Sequence, residues 1–483
     1  MNATGVIEGG RDGRLGQVTG EGGRRIDQVR RPSWTVEHLG RRRWPLLGML
    51  TFVVVSMAYS IWWGPLVHHS QTWMIPGDIW STFRAAHWVG WGDIGGIYGS
   101  DTQLVTFPGI AVLLAPVAMV SSALGLGESH FPFFLSRPTS WLLLGPTILV
   151  LGSSCLVAID AMAEELGVSG ARRIALVFME AVVIFQVVTL WGHPEDLLAL
   201  SFALYSLLAL FRGRWALSGW LWGAAIVMQP LTLLMFPLAF VRTPGPQRGR
   251  LSLYAALPSV VLLIGPLLSQ WHQTSEVLFH QANSEVLDHA TPWIALSPAL
   301  SRTTVGAGPG RMIAVLAAVL LAYLAYKRPP SVVGLLWLCA LALSFRCFFE
   351  SVMDVFYLGP PLVLIVLTAA TGTSWRRFLG AWIVAMVATV YCYQRASEWG
   401  YWVPMVLLLA IGLGWAWPGR SEVGVFGVIR ATEEMPSPHE GRVASVLTAV
   451  RWRASSPLST TVVPRDPSPT GSTGCPPGPP GPC

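Results

Sequence analysis

The sequence predicts an all-α polytopic membrane protein with about 10 to 13 transmembrane helices. Composition, block length and charge placement each indicate this class. Hydrophobic residues make up 52% of the 483 positions and charged residues only 12%, well below the roughly 25% of a soluble globular chain. The apolar residues form blocks long enough to cross about 30 Å of hydrocarbon at 1.5 Å per helical residue, and arginine clusters or Pro/Gly turns separate the blocks.

Each apolar block is interpreted as a membrane-embedded segment. The predicted segments lie near residues 44–63, 105–124, 139–159, 173–191, 196–211, 216–241, 251–270, 311–326, 331–346, 354–372, 378–394 and 402–418.

Two of these blocks do not fit a simple span. Three blocks lie between Arg43 and Arg172, both predicted to be cytoplasmic, so the block 105–124 is expected to enter the membrane and return. The block 216–241 holds about 26 residues, which reach about 39 Å as one helix, and is predicted to be a hairpin broken at Gln229-Pro230. Broken helices at membrane depth are tolerated where they line a cavity, so both blocks predict a buried site.

Basic residues set the predicted orientation. Residues 1–43 end in Arg41-Arg42-Arg43 directly before the first block, which places the N-terminus in the cytoplasm by the positive-inside rule. The other clusters expected on that side are Arg172-Arg173, Arg212, Arg214, Arg242, Arg248, Arg250, Lys327-Arg328, Arg376-Arg377 and Arg420. Because these residues sit singly or in pairs at block ends, the net charge of +6 reflects topology and indicates no nucleic-acid partner.

The chain therefore divides into three predicted parts. Residues 1–43 form a disordered basic cytoplasmic tail, and residues 44–418 form the transmembrane domain. Residues 419–483 are rich in Pro, Ser, Thr and Gly and are predicted to be a disordered cytoplasmic tail; an interaction or regulatory tail is the alternative. The first block begins too late for a usual signal peptide, so we expect an uncleaved first helix and a multi-pass plasma-membrane protein.

Four segments with ionisable residues are then predicted on the external face. They are external loop one (64–104), the turn at 192–196, the external loop 271–310, and the block end at 346–350. Ionisable groups between apolar spans are costly unless they meet water or ligand. The interpretation is a single active site at the external membrane surface.

Asp78 is the candidate general base in external loop one. It follows Pro76-Gly77 and precedes an aromatic stretch that begins with Ile79-Trp80. A carboxylate at the membrane boundary beside tryptophans is suited to accept a proton. An N-cap for the following helix is the alternative role.

Two further sets of ionisable residues each have two possible interpretations. His193, Glu195 and Asp196 are interpreted either as substrate contacts or as a polar turn whose acids cap the next helix. Arg346 and Glu350, spaced i and i+4, are interpreted as a plain salt bridge or as a phosphate site, because a guanidinium offers fork-shaped donors.

The external loop 271–310 carries residue types that bind metals. They are His272, Glu276, His280, Glu285, Asp288 and His289. A solvated external helix is the favoured interpretation, because no zinc-type spacing supports the metal reading.

The order of motifs resembles family-87 glycosyltransferases. The matching runs are Gly77-Asp78 to Ala85-Ala86, Gly95-Gly96-Ile97-Tyr98, Phe107-Pro108-Gly109, Leu113-Leu114-Ala115-Pro116, Gly192-His193-Pro194-Glu195-Asp196, Arg212 to Leu217, and the segment around Gln229-Pro230. The resemblance covers roughly residues 44–241 well and the later spans in outline. A Lys common before the Pro of the broken helix in this family is Gln229 here.

This resemblance implies a type-C glycosyltransferase fold and a polyprenyl-phosphate-sugar donor, with mannose as the expected sugar. The acceptor would be a hydroxyl on a glycolipid or glycan, attacked with inversion at the anomeric carbon. Asp78 matches the catalytic base of the family. Arg346 is the first candidate for the donor phosphate, followed by Arg84 and Arg302, so neither a metal nor another cofactor is expected. The expected substrate contacts are Trp80, His193, Glu195, Asp196, Gln229 and Glu350.

Two alternatives to the transferase remain at this point. A transporter or lipid flippase would also use broken helices and intramembrane polar groups. A non-catalytic member of the same fold is the other alternative.

Overall fold

The computed structural model describes residues 40–68, 73–74, 79–99, 102, 104, 106–126, 134–135, 140–280, 283–284, 289–302, 304–392 and 397–418. The described part is predominantly helical, and seven of its helices are long and apolar enough to cross a membrane. A helical membrane protein is therefore confirmed. Asp78, most of the N-terminal tail and the whole C-terminal tail lie outside the described residues, as do Glu285 and Asp288.

The first half of the chain forms helices over most of its predicted apolar blocks. They are α1 Arg43–His68, α2 Ile79–Gly90, α3 Gly109–Ala123, α4 Trp141–Ser153, α5 Cys155–Glu165, α6 Gly170–Phe185, α7 Pro194–Phe211 and α8 Trp215–Met228. A π-helical turn, Gln186–Leu190, extends α6. Strand β1, Trp73–Met74, pairs antiparallel with β2, Phe134–Leu135.

The second half begins with the short helix α9 and continues through longer ones. The helices are α9 Phe236–Arg242, α10 Gly245–Ser269, α11 Trp271–His280, α12 Gly310–Lys327, α13 Val332–Phe349, α14 Val355–Thr371, α15 Trp375–Tyr391 and α16 Glu398–Trp415. Strand β3, Asn283–Ser284, pairs with β4, Thr304–Val305. Serine side chains cap α13, α15 and α16 by accepting a backbone N–H from the first turn, which satisfies a donor that the helix leaves free.

The block 216–241 is broken where the sequence predicts. Helix α8 ends at Met228, Gln229 is extended, and a 3₁₀ turn, Pro230–Leu234, leads into α9. Side chains added at Gly219 and Gly223 would meet Tyr254 and Pro258 respectively, so α8 and α10 run in the same direction. The chain between them must turn back, and α9 belongs to this returning half.

The two ends of the molecule are distinguished by ion pairs. Arg42, directly before α1, pairs with Asp160 on α5 at 2.6 Å, and Arg212 at the end of α7 pairs with Glu165 at 2.5 Å. We call this the basic end. The opposite end, where α7 begins and α8 ends, is called the site end.

Helix α3 starts at the site end, as expected for a segment that enters and returns. A Cβ at Gly109 would collide with the backbone carbonyl of Val227, close to the end of α8. Helices α4 and α5 run on to the basic end, where Asp160 meets Arg42, so Trp141 at the start of α4 also lies towards the site end. The chain enters α3 and begins α4 from the same side.

Close packing of α8 against α10 predicts that a larger side chain at Gly223 lowers the stability of the protein. A Cβ at Gly223 would lie 2.6 Å from Pro258 and 2.9 Å from the carbonyl oxygen of Ala255. We expect Gly223→Val to destabilise the detergent-solubilised protein by about 1–3 kcal/mol, the usual range for overpacking, and to lower its melting temperature. Gly249→Val on α10 is the matched control, because nothing lies within 4 Å of that position. Equal melting temperatures for the two variants would contradict this packing.

Candidate functional site

The turn before α7 gathers three ionisable side chains. Gly192 has φ +74°, a conformation that glycine adopts without strain, and it reverses the chain after the π-helical turn. His193 is the N-cap residue, Pro194 opens the helix, and Glu195 and Asp196 lie in its first turn. His193 Nδ1 lies 2.7 Å from Glu195 Oε1 and 3.7 Å from Asp196 Oδ2. All three ionisable side chains are buried.

The remaining carboxylate oxygens of this turn are only partly satisfied. The side-chain amide of Gln229 donates to Asp196 Oδ1 at 2.9 Å, which ties the break after α8 to the start of α7. Glu195 Oε2 and Asp196 Oδ2 are buried and have no hydrogen-bond partner among the described residues. The first turn of a helix favours negative charge, and no side-chain hydrogen bond from His193 caps this helix. One buried oxygen of each acid can therefore still accept a hydrogen bond or bind a cation.

Beside this turn, two arginines share one carboxylate. Arg346 Nε lies 2.6 Å from Glu350 Oε2, and Arg311 Nε lies 3.2 Å from Glu350 Oε1. The Glu350 side chain is 1% exposed. Arg311 Nη2 is buried without a hydrogen-bond partner among the described residues. These two arginines and one glutamate together carry more positive than negative charge, and Arg311 Nη2 can still donate a hydrogen bond.

Two adjacent aromatic residues of α14 join these groups. Phe356 stacks on the His193 ring with centroids 3.7 Å apart. The Arg346 guanidinium lies over the Tyr357 ring at 4.7 Å, a cation–π contact. Arg346 is also close enough to act electrostatically on Asp196. The starts of α7, α12 and α14 and the ends of α8 and α13 thus meet around one set of polar side chains, which we call the site cluster.

The segment that follows α13 is fixed by backbone hydrogen bonds. Thr291 N donates to the Ser351 carbonyl at 2.9 Å, and Met353 N donates to the His289 carbonyl at 2.8 Å. The Thr291 hydroxyl donates to the Glu350 carbonyl. Part of the predicted external loop 271–310 therefore holds the backbone of Glu350 in place.

The described residues of external loop one that were candidates for the site lie on α2 and around the short 3₁₀ turn after it. Trp80 is buried on α2 and Arg84 is half-buried on the same helix, which packs chiefly against α3. Asp93 accepts a hydrogen bond from Gly96 N at 3.0 Å and so caps a short 3₁₀ turn. Burial raises the pKa of the Tyr98 hydroxyl well above its ordinary range.

Other candidate residues stand outside the site cluster. Arg302 is exposed in the segment before β4. His272 and Glu276 face solvent on α11, 3.9 Å apart, as expected for a solvated helix. Helix α2 begins at Ile79, directly after Asp78, and the two roles considered for Asp78 stay predictions.

The site cluster contains three residues that no sequence pattern singled out. Arg311 was assigned only to the block 311–326, and Phe356 and Tyr357 only to the block 354–372. One signal was present for Arg311. It begins a helix on the predicted external side, where the positive-inside rule does not favour arginine, so a structural or functional reason for its position was to be expected.

Comparison with known proteins adds no assignment to this geometry. No protein-family model matches the chain, and no curated protein matches it.

Loss of the shared carboxylate should destabilise the site cluster. Removing one partner of a buried ion pair leaves an uncompensated charge and typically costs about 3–5 kcal/mol. We expect Glu350→Gln to lower the melting temperature markedly, because both Arg346 and Arg311 lose their shared partner. Glu276→Gln, which changes an exposed carboxylate, is the control and should melt like the wild type. A Glu350→Gln protein as stable as this control would show that the arginines are balanced by another group.

Proposed function

We propose that this chain is a membrane glycosyltransferase that moves a sugar from a polyprenyl-phosphate donor to an acceptor hydroxyl at the external face of the plasma membrane. The observation that carries the proposal is the pair of arginines on one buried carboxylate, with Arg311 Nη2 unpaired. Guanidinium groups match phosphate oxygens with two parallel donors. Mannose as the sugar and the type-C fold are proposed from the motif resemblance.

The adjoining side chains are suited to sugar recognition. Glu195 and Asp196 present unpaired carboxylate oxygens, which accept hydrogen bonds from hydroxyl groups. Gln229 sits at the tip of the broken block, where it donates to Asp196. A phosphate on the arginines would therefore place the attached sugar within reach of several acceptors. His193, Trp80 and Glu350 are proposed as further substrate contacts.

The proposed reaction is a single displacement. The acceptor oxygen forms a bond to the anomeric carbon while the bond from that carbon to the phosphate oxygen breaks. The electron pair leaves with the polyprenyl phosphate, whose growing negative charge Arg346 and Arg311 stabilise. The acceptor proton passes to the Asp78 carboxylate. Attack from the face opposite the leaving group inverts the anomeric configuration.

The location of the site cluster favours a transferase over a transporter. Its residues lie at helix ends on one side of the bundle, and the predicted orientation makes that side external. A transporter site is expected near the midplane, where both sides reach it in turn. A lipid-linked donor in the outer leaflet would meet the observed arrangement directly.

Asp78 is tested through release of label from the donor. Membranes carrying the wild type or Asp78→Asn are incubated with radiolabelled polyprenyl-phosphate sugars, including mannose, and an acceptor extract. Because general-base catalysis contributes about 10²- to 10⁴-fold, we expect transfer to fall by that factor. Asp93→Asn, which alters a capping carboxylate in the same loop, should transfer at close to the wild-type rate. Equal rates for Asp78→Asn and wild type would remove Asp78 from the mechanism, and no release from any donor would favour transport.

Arg311 gives a separate test of the phosphate site. A hydrogen bond to a charged group contributes about 1.5–3 kcal/mol, so we expect Arg311→Gln to lower kcat/KM for the donor by about 10- to 100-fold. Folding should be retained, because Arg346 keeps its pairing with Glu350. Arg328→Gln at the other end of α12 is the matched control, since Arg328 is exposed at the basic end. Equal kcat/KM in both variants would place the phosphate elsewhere.

A further inference from the structure

We infer that His193, Glu195 and Asp196 bind a divalent first-row transition-metal ion, Mn²⁺ or Zn²⁺. One potential ligand atom from each residue lies within 4.8 Å of the other two, and all three residues are buried. They come from positions 193, 195 and 196 of one tight turn, where Pro194 lies between the histidine and the acids. No metal was expected from the sequence, whereas the positions of these three side chains indicate one.

The spacing of the ligand atoms fits a coordination sphere. Metal–ligand distances of about 2.0–2.2 Å put neighbouring ligand atoms about 3.0 to 3.5 Å apart in octahedral or tetrahedral geometry. His193 Nδ1 lies 2.7 Å from Glu195 Oε1 and 3.7 Å from Asp196 Oδ2, which brackets that range. Small side-chain rotations would admit an ion between them.

The unpaired oxygens are a second and independent observation. The side chains of Glu195 and Asp196 are 3% and 0% exposed, yet Glu195 Oε2 and Asp196 Oδ2 lack hydrogen-bond partners among the described residues. A buried carboxylate oxygen without a partner is strongly unfavourable. A cation bound through Asp196 Oδ2 and both oxygens of Glu195 would satisfy them where no described donor does.

Hydrogen-bond satisfaction distinguishes a bound ion from a simple ion pair. Arg346 acts on Asp196 from a distance, yet Glu195 Oε2 and Asp196 Oδ2 still lack hydrogen-bond partners among the described residues. A divalent ion would contact both carboxylates directly. The Gln229 amide, which donates to Asp196 Oδ1, would then act as the outer partner that orients a metal-binding carboxylate.

The ligand set indicates the class of ion. Imidazole suits zinc and other later transition metals, whereas carboxylates suit manganese and magnesium. One imidazole nitrogen with two carboxylate oxygens favours Mn²⁺ or Zn²⁺. Three protein ligands leave at least one position open, which is typical of sites where an external oxygen binds.

Binding is tested directly on the full-length chain in detergent. The protein is treated with a chelator, dialysed and titrated with Mn²⁺, and bound ion is measured by electron paramagnetic resonance. We expect one Mn²⁺ per chain, displacement by Zn²⁺, and a rise in melting temperature with ion concentration. Asp196→Asn and Glu195→Gln, which preserve side-chain shape, should each weaken binding at least tenfold.

The control variant tests whether the ion binds at this turn or at the exposed pair of His272 and Glu276. His272→Ala alters an exposed imidazole 3.9 Å from Glu276 and should bind Mn²⁺ like the wild type. Absence of stoichiometric binding in the wild type, or equal affinity in Asp196→Asn, would overturn the inference. Should one carboxylate variant fail to fold, the other variant and the wild-type stoichiometry decide the outcome.

The metal site does not depend on the proposed transferase activity; where an ion is bound, sugar hydroxyl groups would bind at its open position in place of the unpaired carboxylate oxygens. Mn²⁺ binding without any sugar transfer would support the metal site and count against the transferase. Sugar transfer that persists in chelator, by a protein that binds no ion, would support the transferase and exclude the metal site.

Discussion

The Glu350 carboxylate is the point on which the arrangement of the site cluster depends. Buried charge in an apolar protein is tolerated only with a partner, and Glu350 supplies it to guanidinium groups from two different helices. That requirement brings the start of α12 to the end of α13. Tyr357 then packs under Arg346, which adds the start of α14. The remaining polar residues are organised around this ion pair.

Backbone irregularities concentrate at the same place. Helix α6 ends in a π-helical turn before Gly192, and the block 216–241 breaks at Gln229. At both interruptions the regular helical hydrogen-bond pattern stops, so polar backbone and side-chain groups can turn towards the site cluster. π-helical turns are frequent at functional sites. The hydrogen bond between Gln229 and Asp196 links the two interruptions. An irregular backbone in an otherwise helical membrane protein is thus used where polar side chains have to converge.

The helices were predictable because their cause is local. A block of apolar residues with no alternative hydrogen-bond partners in hydrocarbon must be helical, and the excess length of 216–241 together with Pro230 predicted the break. The i, i+4 spacing of Arg346 and Glu350 likewise predicted their pairing. Arg311 was missed because its contact to Glu350 spans 39 residues, a relation that no local pattern encodes. The apolar character of Phe356 gave no sign that it stacks on His193.

The two clusters of charged residues differ in how completely their buried polar atoms are paired. At the basic end, Arg42 and Arg173 face Asp160 and Glu164, and every oxygen of these two carboxylates contacts a guanidinium nitrogen. Two guanidinium groups face two carboxylates there, so the charges balance, and every carboxylate oxygen has a partner although the buried Arg42 Nε has none among the described residues. In the site cluster, Arg311 keeps an unpaired donor while Glu195 and Asp196 keep unpaired acceptors. Unpaired buried polar groups are unfavourable, and a phosphate on the donor with a cation on the acceptors would satisfy both kinds of group in this cluster.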